Sequence, residues 1–179
     1  MMPGKQVVIR NASATDAALL AEMGAKTFYD TFAAQNTPEN MKAYLASSFS
    51  VEKQAAELSD AASFYLIAEV EGSPAGFALL RTGVAPRCVT GTHPIEVVRI
   101  YALKEWIGHG VGHTLMQACL EEALRRGCDT IWLGVWEHNP RAITFYRKWQ
   151  FEEVGSHPFQ LGSELQRDLL MQRPVRLTS

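Results

Sequence analysis

The segment W-I-G-H-G-V-G-H-T-L, residues 106–115, sets Gly108, Gly110 and Gly112 at alternate positions directly before a long amphipathic run. Glycine weakens a helix, so this much backbone freedom at a helix entrance requires a reason. The first amides of a helix have no intrahelical partner, and together with the helix dipole they form a seat for phosphate that glycines leave bare. The spacing is not that of a nucleotide P-loop, because no Lys-Ser or Lys-Thr pair follows Gly112. It also departs from the dinucleotide pattern G-x-G-x-x-G, since His113 stands three residues after Gly110. A closely packed or flexible turn is the competing explanation. His109 and His113 are four residues apart, as in some metal sites, but no H-E-x-x-H glutamate or third ligand accompanies them, and no metal is expected.

These residues need elements to hold them. Residues 7–10 form a β-rich run, and Ser13 or Thr15 can start a helix over 17–25. Thr37-Pro38-Glu39 provides cap, first-turn proline and first-turn acid for a second helix, and a third is expected over 51–58. Residues 64–70 and 75–81 alternate as strands around the turn residues Glu71-Gly-Ser-Pro, which predicts an antiparallel hairpin. Residues 84–94 read as an exposed loop. The second half predicts strand 95–103, helix 111–126 and strand 130–136, a β-α-β unit. Val111, Leu115, Met116, Cys119, Leu120 and Ala123 make that helix's apolar side, and Gly127 stops it. Asn139 and Pro140 then open a helix in which Ala142, Phe145, Tyr146 and Trp149 recur at helical spacing. Strands near 152–156 and 165–172 close the sheet.

A chain of 179 residues, 47% hydrophobic and 20% charged, fits a single domain over residues 1–179 with a sizeable core. A formal net charge of -2 supplies no basic field for nucleic acid or an anionic membrane, so neither is an expected partner. No apolar run approaches the ~18 residues of a membrane span, and the amino-terminal residues lack a signal-peptide core. Cys88, Cys119 and Cys128 are scattered and odd in number, which suits a reducing cytoplasm. Polar strand edges near the carboxyl end leave a homodimer open.

Over residues 96–151 the chain resembles the Gcn5-related N-acetyltransferase (GNAT) superfamily, whose core helix opens with Q/R-x-x-G-x-G/A. Gly110 and Gly112 hold both glycine positions, while Ile107 stands where Gln or Arg is usual and Gln150 where glycine is frequent. The neighbouring runs R-I-Y-A-L, I-W-L-G-V-W and N-x-x-A-x-x-F-Y, with Phe151 after them, follow the family order. The resemblance implies a mixed α/β GNAT fold: a central, mostly antiparallel twisted sheet of about seven strands flanked by helices, with a β-α-β acetyl-CoA-binding core. Within the superfamily, W-L-G-V-W-E-x-N-x-R-A-I-x-F-Y (132–146) and G-x-H-x-F-x-x-G (155–162) are similar to bacterial enzymes that acetylate polyamines.

The resemblance further implies acetyl-CoA as co-substrate. Its pyrophosphate is expected on the amides of Gly108, His109, Gly110, Val111, Gly112 and His113, and its pantetheine arm along the backbone of Ile100, Tyr101 and Ala102. Asn139 occupies the family position that touches the arm, and is equally an N-cap. A primary amine with pKa near 10.4 is the free nucleophile in only about one molecule in 2,500 at pH 7, so a base is required. Glu96, eleven residues before Ile107, stands where the histone-acetylating branch has its glutamate base. Strand alternation puts Val98 and Ile100 on its side unless a bulge intervenes. An exposed strand-end glutamate is the other reading. Tyr146 matches the tyrosine that protonates the leaving thiolate, although its apolar stripe equally suits a core aromatic. Phe28, Tyr29 and Asp30 resemble the variable acceptor wall, with Asp30 or Glu39 available to pair with a polyamine. Direct transfer to a small primary amine is the expected reaction. The alternatives are transfer to peptide or protein amines or an antibiotic, and a non-catalytic acyl-CoA-binding regulator.

Overall fold

The computed structural model describes residues 4–176. Strand β1 (Val7–Asn11) passes through a short 3-10 turn into helix α1 (Ala17–Phe32), followed by α2 (Pro38–Ser48) and α3 (Val51–Ser59). The hairpin β2 (Ser63–Val70) and β3 (Ser73–Thr82) precedes β4 (Pro94–Ala102), α4 (Val111–Arg125) and β5 (Thr130–Trp136). Helix α5 (Pro140–Lys148) and the hairpin β6 (Glu152–Leu161) and β7 (Glu164–Pro174) complete the chain. Side-chain caps set three helix starts: Thr37 accepts from the Asn40 amide, Ser50 from Lys53 and Asn139 from Ala142.

The seven strands form one sheet in the order β1-β2-β3-β4-β5-β7-β6. Every neighbouring pair is antiparallel except β4 and β5, which the α4 crossover joins in parallel. Helices α4 and α5 cover one face, where Leu115, Met116 and Cys119 pack with Ile95, Ile131 and Leu133. Helix α1 covers the other, with Leu20 and Met23 against Tyr65, Ile67, Phe77 and Leu79. Each such aliphatic side chain removed from water contributes roughly 1.5–3 kcal/mol, so the two faces fix the sheet between them. A smaller aromatic cluster of Phe28, Met41, Phe49 and Leu161 lies where α1 and α2 meet.

Two elements outrun the sequence reading. Helix α1 continues to Phe32 because nothing in T-F-Y-D-T-F breaks a helix, and the Thr27 and Thr31 hydroxyls bond back to the carbonyls of Met23 and Thr27 at 2.7 and 2.8 Å. Strand β6 continues through Pro158 to Leu161, which is tolerated because β6 is an edge strand with one side free of ladder bonds.

Candidate active site

Strands β4 and β5 pair only at Pro94–Thr130, Ile95–Ile131 and Glu96–Trp132. Beyond these they separate. Residues 97–102 keep their partner β3 on one edge, and β5 continues against β7 alone, so a wedge opens between two parallel strands. A bulge contributes to the change of direction, because Leu80 opposes Val97 while Leu79 opposes Arg99, leaving Val98 without a partner. The backbone of Ile100, Tyr101 and Ala102 borders the wedge. Gly76 lets β3 approach this stretch closely, since a Cβ there would collide with the Tyr101 carbonyl.

The amino end of α4 stands beyond the end of β4. Gly108 and Gly110 have φ of 85° and 84°, the left-handed region that favours glycine, and a Cβ at either would point into open space. Among the described residues, the amides of Gly108, Gly110, Val111, Gly112 and His113 have no hydrogen-bond partner. The His109 amide is different: it donates to the Trp106 carbonyl at 3.1 Å, so the expected run of six free amides is interrupted at its second member. The rings of His109 and His113 pack on Trp106 and Trp149, at centroid distances of 5.8 and 4.8 Å. Five unpaired amides at the positive end of a helix dipole fit a pyrophosphate without any charged side chain.

Tyr146 comes from α5 on the α4 side of the sheet and is buried among Phe145 and Phe151. Its hydroxyl makes no hydrogen bond to the described residues, and burial first, then Cys119, pushes its pKa up, keeping the phenol protonated. Tyr101 lies on the opposite face. Its hydroxyl is held protonated by burial, then by Tyr44, with Tyr146 and Asp168 also in electrostatic range. The Asn139 side-chain oxygen accepts from the Ala142 amide at 3.2 Å, so its capping role is realised.

The α1 face carries the charged groups. Glu96 lies there with its pKa raised by burial, against which Arg81, His157 and Arg99 act. The Val98 bulge reverses the alternation, so Glu96 shares its face with Arg99 and Tyr101, and Ile100 packs on the opposite, α4 side. Asp168 on β7, opposite both Trp136 and His157, has its carboxyl pushed up to about 6 by burial, which nearby His157 partly opposes. A Cβ on Gly134 would stand 3.3 Å from both Asp168 Oδ2 and His157 Nε2. Beneath them Arg99 Nη1 donates to the Tyr65 hydroxyl at 3.0 Å and pairs with Glu57 at 3.3 Å, while Arg81 reaches the same carboxylate at 3.5 Å.

The profile of the Acetyltransferase (GNAT) family matches residues 26–151. The chain belongs to this family. It is 31% identical over 150 residues to an uncharacterized N-acetyltransferase of Lactobacillus delbrueckii subsp. lactis, covering 84% of this chain and 87% of the relative. An uncharacterized N-acetyltransferase of Mycobacterium bovis is also 31% identical, over 90% of this chain and 99% of its own. Among solved structures, PaiA N-acetyltransferase from Thermoplasma acidophilum in complex with coenzyme A superposes with a TM-score of 0.75 at 21% identity, covering 94% of this chain and 99% of that one. The GNAT fold read from the sequence is thus the fold observed, and the protein is an acetyl-CoA-dependent N-acetyltransferase.

Seen as a GNAT enzyme, the chain corrects its own expected acceptor wall. Phe28, Tyr29 and Asp30 do not lie between helices; they occupy the last turns of α1. Phe28 points inward and stacks on Tyr44 at 4.3 Å, whereas Tyr29 is 54% exposed and Asp30 and Glu39 are also exposed. A helix turns each successive side chain through about 100°, so three consecutive residues cannot line one wall. Asp168, Glu57, Arg99 and Tyr44 had no role in the sequence reading, and His157 entered it only as the histidine of G-x-H-x-F-x-x-G, with no chemical task assigned. The other available signals were a lone acid in the apolar run D-L-L-M and charges inside I-E-V-V-R-I-Y. Ile107, the departure from the GNAT pattern, is 39% exposed, and Gln150 adopts a φ of 69°, which explains why glycine suits that position. Among the described residues no helix is long and apolar enough to cross a membrane.

Proposed function

We propose that this GNAT enzyme transfers acetyl from acetyl-CoA directly to a primary amine of the small polyamine class. The observation that carries the reading is the wedge between β4 and β5: unpaired amides stand beyond one end, and acidic side chains line the α1 face. The pyrophosphate would rest on the free amides of Gly108, Gly110, Val111, Gly112 and His113, and the pantetheine arm would pair with the backbone of Ile100, Tyr101 and Ala102. Tyr146, protonated and without a hydrogen-bond partner among the described residues, would give its hydroxyl hydrogen to the departing sulfur. On the acceptor side the cations Arg81 and Arg99 share Glu57 and also act on Glu96, so with Asp168 three carboxylates stand against two guanidiniums and the balance facing an incoming ammonium is negative. Tyr44, part-exposed and stacked on the buried Phe28, supplies apolar wall for the methylenes of such a substrate.

Release of free thiol from acetyl-CoA, measured with a panel of polyamines, monoamines and peptide amines, tests this. Spermidine and short diamines are expected to accelerate release more than monoamines or peptides do. Acetyl-CoA binding with no acceleration by any amine would favour a non-catalytic acyl-CoA-binding regulator.

A further inference from the structure

Asp168 is the unusual group of the acceptor face. It is a half-buried carboxylate that makes no hydrogen bond or ion pair with any described residue, although His157 is opposite it on β6. The reason is spatial. Asp168 Oδ2 and His157 Nε2 are each 3.3 Å from the point where a Gly134 Cβ would be, so they stand no more than twice that distance apart, yet no bond joins them. The bare Cα of Gly134 leaves a slot between them that is wider than an ion pair and at most about 6.6 Å across. A nitrogen making two hydrogen bonds of about 2.9 Å reaches across up to about 5.8 Å, which falls within that bound. Gly134 keeps the slot empty by having no side chain, and it lies on β5 two residues beyond Trp132, where β5 has already parted from β4. The slot therefore opens at the wedge, on the acceptor face.

His157 is oriented for a particular task. Its Nδ1 is 2.9 Å from the Pro158 carbonyl oxygen, which can only accept, so Nδ1 carries the hydrogen and Nε2 is the nitrogen that gains or loses a proton. Nε2 is also the atom facing the slot. The charged groups in electrostatic range of His157 are Glu96 on β4 and Asp168 on β7; Arg81 on β3 and Arg99 on β4 act in turn on Glu96, and Tyr101 on β4, beside Tyr44 of α2, is in range of Asp168. The two arginines share Glu57, and Glu96 and Asp168 bring the carboxylates to three against two guanidiniums, so the slot's surroundings favour a cation.

We propose that the slot over Gly134 seats the acceptor's reacting nitrogen, with Asp168 holding its positive charge and His157 Nε2 removing its proton. This assignment rests on the acetyl-transfer reading, and it moves the base role from Glu96 to His157. In the proton transfer, an N–H bond of the ammonium breaks and an N–H bond at Nε2 forms. The freed lone pair then makes the C–N bond to the acetyl carbon, and the C–S electron pair leaves with sulfur. The second proton released by the amine balances the one that Tyr146 gives up, and the proton on His157 passes to solvent.

The test uses spermidine as probe, with Asp168→Asn, His157→Gln and Glu96→Gln compared with the parent enzyme for kcat and KM from pH 6 to 10. His157→Gln is expected to lower kcat/KM about 10²-fold at pH 7 and to recover most of it by pH 10, where free amine is abundant. Asp168→Asn is expected to raise the spermidine KM at least tenfold with unchanged acetyl-CoA affinity. A deficit of His157→Gln that does not shrink with pH, or the recovering profile appearing in Glu96→Gln instead, overturns the assignment. Calorimetric binding of spermidine to the coenzyme A complex separates the two readings. If the parent binds spermidine without turnover, the transfer reading fails, and loss of that binding in Asp168→Asn still supports the seat. Equal spermidine binding by Asp168→Asn and the parent overturns it.

Discussion

The two sides of β4 recognise their ligands by opposite means. Toward the wedge and α4 the chain offers backbone: unpaired amides beside left-handed glycines, and strand edges with no partner. Toward α1 it offers side chains: two carboxylates with raised pKa values, a histidine and buried phenols. Backbone recognition suits a donor whose phosphates and amides are constant, and it survives Ile107 in place of a charged residue. Side-chain recognition suits an acceptor defined by its own charge and length, and it is the part that substitutions can retune.

Removing single groups should separate the two sides. The largest effect is expected from Tyr146→Phe, which takes away the proton donor at their meeting point. Steady-state kinetics should show kcat falling about 10²-fold with acetyl-CoA affinity unchanged, and full activity would remove Tyr146 from the chemistry. On the donor side, Gly110→Ala puts a side chain on a left-handed residue at a cost of about 1–2 kcal/mol and obstructs the approach to the amides. Calorimetry should find acetyl-CoA binding weakened roughly tenfold or more, with spermidine binding preserved.

Stability gives the acceptor side a second signature. The folded chain holds the Asp168 carboxyl at about 6 against an ordinary 3.8, so it binds that proton more tightly than the unfolded chain does. Stability contributed by this group is complete below about pH 4, declines as pH rises to about 6 and stays lower above it. Allowing for part exposure, the penalty is on the order of 1–2 kcal/mol. Asp168→Asn should accordingly raise Tm by about 2–6 °C at pH 8 and leave it unchanged at pH 4, while impairing turnover. A lower Tm at pH 8 would show that the carboxylate is structurally supported after all. The smallest effect is expected at Ile107. Its side chain is partly exposed, and the free amides do the binding, so Ile107→Arg should change acetyl-CoA affinity by no more than about twofold.

This contrast also explains what could be read from the sequence. The donor side is local: glycines, helix start and apolar stripe all fall within residues 107–123, and Val111, Leu115, Met116, Cys119, Leu120 and Ala123 are buried as their spacing predicts. The β2-β3 hairpin, the caps at Thr37 and Asn139 and the β4-α4-β5 crossover were legible for the same reason. The acceptor side is assembled across the sheet from β4, β6, β7 and α3, and its members share no spacing in the chain. One unpaired residue at Val98 decides which face Glu96 joins, and nothing in I-E-V-V-R-I-Y marks a bulge there. Because α1 runs on to Phe32, Tyr29 and Asp30 likewise fall on its exposed face instead of in a loop.

The division between backbone and side-chain recognition can be observed directly by following the backbone amide resonances of the isotope-labelled protein during titration with acetyl-CoA. The largest shifts are expected at Gly108, Gly110, Val111, Gly112 and His113, with His109, whose amide is already bonded to Trp106, moving less than its neighbours. Saturable binding that leaves those five amides unmoved and shifts the α1 face instead would contradict that division.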